Sequence, residues 1–118
     1  MYTCQKADEY IEKNRVDRAD KPEFHLTTPV GWLNDPNGFS IYGKAHLFYQ
    51  FHPYSTEWGP MHWGHSTSDD FIRWEELPTA LAPDSDYDAF GCFSGTAIEN
   101  DGKHVLFYTG VVEEKLAD

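Results

Sequence analysis

At 118 residues the chain has the length of one small domain, with nine Lys and Arg against 20 Asp and Glu and a net charge of −11. That balance argues against nucleic acid and anionic membrane as partners, since both select basic patches. An apolar fraction of 40%, with 16% aromatic residues, suffices for a packed core and excludes a disordered chain.

Residues 1–22 are expected to form an N-terminal helical segment. The stretch 3–19 is charged and turn-free, with Tyr10 and Ile11 among its few apolar positions. It predicts a short polar helix over Ala7–Arg18, closed by Lys21-Pro22. No apolar run follows Met1, because Lys6, Asp8, Glu9 and Glu12 interrupt it, so no signal peptide is expected. No run approaches the length of a membrane span. Cys4, in the helix, and Cys92, in a strand, show no disulfide-framework spacing and read as free thiols. Together these features predict a reducing, cytoplasmic compartment.

From residue 23 the composition turns β-rich, with short aromatic and branched runs punctuated by Gly, Pro, Asn and Asp. The first of these is Trp32-Leu33-Asn34-Asp35-Pro36-Asn37-Gly38. Pro36 forces Asp35 out of the helical region. Pro36, Asn37 and Gly38 then predict a turn, followed by a strand over Phe39–Tyr42. A carboxylate held there among hydrogen-bond donors suits a nucleophile or a charge stabiliser. On local grounds alone, a turn cap is the favoured reading of Asp35, because Asn and Asp dominate loops for local reasons.

An internal repeat points to the architecture. The segment Gly38–Tyr49 parallels Gly95–Tyr108. Gly43-Lys44 recurs as Gly102-Lys103 and Leu47-Phe48-Tyr49 as Leu106-Phe107-Tyr108, both 59 positions on; the leading Gly and Ile recur at 57. The second hairpin therefore carries a longer turn, Glu99–Gly102. A hairpin repeating at this period fits propeller blades better than a sandwich. The first blade is expected from Phe39 through His62–Ser68 to about Trp74, and the second to begin near Cys92. About one and a half blades leave open strand edges, so the isolated chain is expected to self-associate.

Three other motifs suggest chemistry and fail on spacing. Asp84-Ser85-Asp86-Tyr87-Asp88 begins like a calcium loop, but Ala89 and Gly95 stand where that pattern needs Gly and Glu. It is expected to be an acidic surface loop. His52, His62 and His65 invite zinc. Three residues apart, however, His62 and His65 face opposite sides of a strand, and no Cys pair or Glu completes a ligand set. Hydrogen bonding beneath the aromatic blade is the expected role. Ser94, in Gly-Cys-Phe-Ser-Gly, lacks the nucleophile elbow of serine hydrolases.

Trp32–Gly38 resembles the nucleophile motif of glycoside hydrolase family 32, which includes invertases, sucrose-6-phosphate hydrolases and fructanases. Phe48-Tyr49-Gln50-Phe51-His52-Pro53, Glu57–His65, Ser68–Trp74 and Gly91–Thr96 are similar to further family segments, in family order. The five blocks span roughly residues 24–110. The resemblance implies an all-β fold: part of a five-bladed β-propeller over residues 23–118, preceded by the short helix and followed in the family by more blades and a β-sandwich. It also implies a retaining β-fructofuranosidase acting through two carboxyl groups about 5–5.5 Å apart. Asp35 matches the nucleophile, attacking C2 of a terminal fructosyl unit.

The family's acid/base lies in a Glu-Cys motif and its second Asp in an Arg-Asp-Pro motif. Neither occurs in this sequence, and both are expected beyond Asp118. The resemblance further places Asn34, Gln50, Trp58, Phe93 and Ser94 around the sugar. Asn34 and Gln50 offer amides able to donate and accept, Trp58 and Phe93 aromatic walls, and Ser94 a hydroxyl. Without the family, Phe93 could be core and Gln50 a solvated residue at a strand end. The expected substrate is sucrose or sucrose 6-phosphate, the latter favoured by the absence of a visible signal peptide. Fructan hydrolysis or fructosyl transfer would use the same motifs. No cofactor or metal is implied, since the acid/base chemistry needs none. A reading from another class is that the isolated stretch only binds sugar or serves as structure.

Overall fold

A computed structural model describes residues 1–17 and 19–113. Its elements in chain order are α1 (Cys4–Asn14), β1 (Trp32–Tyr42), β2 (Lys44–His52), β3 (His62–Ser68), β4 (Glu75–Leu81), β5 (Gly91–Asn100) and β6 (Lys103–Val111). Strands β1–β4 form one antiparallel sheet in sequential order, and β5–β6 form a separate hairpin. This is one complete four-stranded blade and the start of a second. The first blade is larger than the sequence suggested: it runs from Trp32 to Leu81, and its fourth strand begins at Glu75, just past the expected end.

The two hairpins match the repeat. Gly43, at φ +71°, joins β1 to β2. The second turn carries one more residue, and Asp101 and Gly102 both adopt positive φ, as a two-residue hairpin turn requires.

α1 starts three residues earlier than predicted, because the Thr3 side chain caps it by accepting from the Lys6 amide at 3.1 Å. It ends at Asn14, where Arg15 takes an extended conformation; Arg18, the predicted end, lies outside the described residues. Ala7 and Ile11 are its buried positions. Asp8 Oδ1 accepts from the Thr79 amide of β4 at 2.8 Å, and the Arg15 guanidinium forks onto Glu76 with two bonds of 3.0 Å. The helix thus covers the outer strand of the blade, one way a sheet edge is protected.

Two apolar clusters hold the structure together. Ile11, Tyr49 and Phe51 bury the side facing α1, with Leu26, Val30 and Leu33 packed alongside. Phe48, Trp63, Cys92 and Ala97 join the first blade to the second hairpin. Gly38, at φ +54°, sits at this joint, where a Cβ would stand 2.9 Å from Phe48 Cδ2 and 3.1 Å from Ala97 Cβ. A cluster of imidazoles reinforces it. His46 Nε2 donates to the Tyr42 carbonyl, so its Nδ1 accepts from His65 Nε2 at 2.9 Å. From β6, His104 Nε2 reaches Ser40 Oγ of β1 at 2.8 Å.

Candidate active site

The turn expected at Pro36–Gly38 does not form. Trp32–Tyr42 is one continuous strand, and its irregularity is absorbed by bulges. Leu33 pairs with Phe51 and Pro36 with Tyr49, which leaves Asn34 and Asp35 together opposite Gln50. A proline without an amide donor is tolerated at such a place. A bulge turns a side chain out of the regular alternation, and Asp35 is exposed. Asn34 Oδ1 accepts from the Asp35 amide at 2.7 Å and stiffens the extra residue.

Gln50 is not at a solvated strand end. It is 4% exposed and lies inside β2, where its Nε2 donates to the Cys92 carbonyl at 3.0 Å. Its neighbour across β2–β3 is Trp63, whose Nε1 donates to the Phe93 carbonyl at 3.0 Å. The side chains opposite and beside the Asp35 bulge therefore hold two consecutive carbonyls of β5.

β5 bulges directly afterwards. Phe93 pairs with Thr109 and Gly95 with Tyr108, so Ser94 is the extra residue, and it is exposed. The Phe93 ring meets Trp58 edge-on at 6.2 Å and Phe90 at 6.2 Å; Trp58 is half exposed. His52 seats the Trp58 loop: its Nδ1 donates to the Glu57 carbonyl at 3.0 Å, and Gly59 lies against its ring. Asn34, Asp35 and Gln50 are thus linked through the β5 backbone to Phe93, Ser94 and Trp58. A cleft of about 340 Å³ lies elsewhere, beyond α1, lined by Arg15, Lys21, Thr28 and Pro29 among others; it shares none of these residues.

Sequence reasoning missed Asp88. The 84–88 segment is not simply an acidic surface loop, because Asp88 is 2% exposed and points inward. Its Oδ1 accepts from the Ser85 amide at 2.9 Å; its Oδ2 accepts from Tyr108 Oη at 2.7 Å and faces the Cys92 thiol at 3.5 Å. Burial, then the neighbouring carboxylate, pushes the Cys92 thiol upward, and burial and the bond to Asp88 do the same to Tyr108. The only available signal was the recurrence of Tyr108 in the repeat, which suggests an inward-facing phenol. The expected separation of His62 and His65 is observed. His62 Nδ1 donates to the Pro60 carbonyl beside Tyr2 and Tyr54, whereas His65 stacks on Phe48 and His46. Among the described residues, the buried Trp32 Nε1 and Asn37 Nδ2, flanking the Asp35 bulge, have no hydrogen-bond partner.

With this geometry in place, residues 25–118 match the Glycosyl hydrolases family 32 N-terminal domain. The chain belongs to glycoside hydrolase family 32. A sucrose-6-phosphate hydrolase of Escherichia coli is 55% identical over 92 residues, covering 77% of this chain and 19% of its own length. A raffinose invertase of the same species is 53% identical over 107 residues, covering 88% and 22%. Among solved structures, a family 32 β-fructofuranosidase of Bombyx mori, with one aspartate replaced by alanine and in complex with sucrose, superposes with a TM-score of 0.85. It is 48% identical, over 95% of this chain and 24% of that one. The chain spans about a fifth of the length of these family 32 relatives, and what it forms is part of a propeller. Among the described residues no helix is long and apolar enough to cross a membrane.

Proposed function

We propose that this chain is the nucleophile-bearing part of a retaining β-fructofuranosidase. Residues 1–22 are an N-terminal segment whose helix, α1, braces the first blade, and residues 23–118 belong to the first part of the catalytic propeller. Asp35 attacks C2 of a terminal fructosyl unit, and a carboxylic acid outside this stretch protonates the departing oxygen, with the two groups about 5–5.5 Å apart. Asn34 and Gln50 meet fructose hydroxyls, Trp58 and Phe93 form the apolar wall, and Ser94 adds a hydroxyl. The observation that carries this reading is the bulge that turns Asp35 out of β1 between Asn34 and Gln50, in a chain nearly half identical to a relative solved with sucrose.

The substrate is sucrose or sucrose 6-phosphate; a relative named for sucrose 6-phosphate and a relative solved with sucrose support the two sugars. We favour the phosphorylated sugar and a cytoplasmic location. Lys44, at the β1–β2 turn, pairs with Asp69 and Glu75 at 3.6 and 3.9 Å, and nothing marks it as a phosphate ligand. Reducing-sugar release from both sugars by the full-length protein, compared with Asp35→Asn, tests the assignment. Asp35→Asn is expected to lower turnover by at least about 10³-fold, because the covalent route is closed. Undiminished turnover in that variant would remove Asp35 from the mechanism.

A further inference from the structure

We propose that Trp63 is a positioning residue for the sugar site, holding the β5 bulge that presents Ser94. The inference rests on the fructofuranosidase reading above. Trp63 is fully buried in β3 and directly opposite Gln50, so the two side chains share a face of the first blade. Each donates to β5: Gln50 to the Cys92 carbonyl and Trp63 to the Phe93 carbonyl, both at 3.0 Å. In a regular strand, consecutive carbonyls point to opposite edges. Here both are drawn to the first blade, and the chain bulges at the next residue.

Trp63 grips the far side of the bulge as well. Its ring meets Tyr108 edge-on at 6.2 Å, and Tyr108 is the partner of Gly95 in the β5–β6 register. Phe93 and Gly95 flank Ser94, so one indole touches the structure on both sides of the extra residue. Gly95 admits no larger residue, because a Cβ there would run into the Phe107 carbonyl and the Tyr108 backbone. The bulge thus has a fixed β6 side and a β5 side fixed by the indole N–H. Without that donor, the Phe93 carbonyl and the orientation of Ser94 lose their anchor, while the apolar packing of the ring persists.

A purely structural tryptophan would lower stability and leave the contribution of Ser94 intact. A positioning tryptophan couples to Ser94. The test is a double-mutant cycle on the full-length protein, with KM and kcat measured for whichever of sucrose and sucrose 6-phosphate it hydrolyses. The variants are Ser94→Ala, Trp63→Phe and both together. A third protein carries benzothienylalanine at position 63, which keeps the ring shape, lacks the N–H and covers the case in which Trp63→Phe fails to fold. Loss of the donor is expected to raise KM about 3–10-fold, the size of one net hydrogen bond. Ser94→Ala should then add less than about twofold, although it has a larger effect in the unaltered protein. Independent, multiplicative effects of the two changes in a folded variant would overturn the proposal alone. Absence of hydrolysis by the unaltered protein would overturn the enzymatic reading and the proposal with it.

Discussion

Replacing Gly38 by alanine should destabilise the chain by about 2–5 kcal/mol, and the structure separates that figure into two parts. Gly38 has φ +54°, a left-handed conformation that costs a residue with a Cβ about 1–2 kcal/mol. The new methyl would also stand 2.9 Å from Phe48 Cδ2 and 3.1 Å from Ala97 Cβ, at the joint between the first blade and the second hairpin. Overpacking of a close-packed core adds typically about 1–3 kcal/mol. Gly43 provides the control. Its φ is +71°, and a Cβ there would meet nothing within 4 Å, so Gly43→Ala carries the backbone cost alone. Urea unfolding followed by tryptophan fluorescence, at equal protein concentrations, measures both variants. With a slope of about 1.5 kcal/mol/M, Gly38→Ala should lower the midpoint by about 1–3 M and Gly43→Ala by about 1 M. Equal shifts for the two variants would refute the crowded joint.

Asp88→Ala leaves the Tyr108 hydroxyl and the Ser85 amide without their acceptor and should cost about 2–3 kcal/mol in the same titration, whereas a cost below about 0.5 would mean that water replaces the carboxylate. Stability should fall as the pH drops from 6.5 towards 4. His62, held down to about 4 by burial, stays neutral in the folded chain while the unfolded chain takes up its proton from 6.5 downward. The loss from His62 alone is about 2 kcal/mol by pH 5; the less buried His65, also near 4 through burial and its neighbours His46 and His104, adds a smaller loss. Urea midpoints at pH 7, 6 and 5 measure this, and His62→Gln should flatten the profile. A polypeptide of these 118 residues alone should release no reducing sugar from sucrose and should self-associate, as read by sedimentation. A monomer that turns over sucrose would refute both expectations.

The parts of this protein legible in the sequence are those set by local chemistry and short-range pattern. Gly43 and Asp101-Gly102 demand their turns because the residue types themselves tolerate positive φ, so the repeated hairpin could be found without any structure. The motif residues around Asp35 could be singled out for the same reason: their side chains carry the relevant donors, acceptors and aromatic faces. Local reasoning erred where pairing overruled it. Pro36-Asn37-Gly38 is ordinary turn chemistry, yet pairing with β2 keeps the segment within one strand and turns the excess residues into bulges, with left-handed Gly38 in the second of them.

By itself, then, the sequence determined the all-β repeat, the family and the identity of the chemical groups. Only the tertiary structure decided what each group does. A bulge is a mismatch between two strands and has no meaning within one, so the outward turns of Asp35 and Ser94 became visible only in the β1–β2 and β5–β6 registers. The same holds for Gln50 and Trp63, whose partners lie 42 and 30 positions away and come within reach only when the second hairpin packs against the first blade, and for Asp88, whose partner Tyr108, 20 positions on, is brought to it by β6.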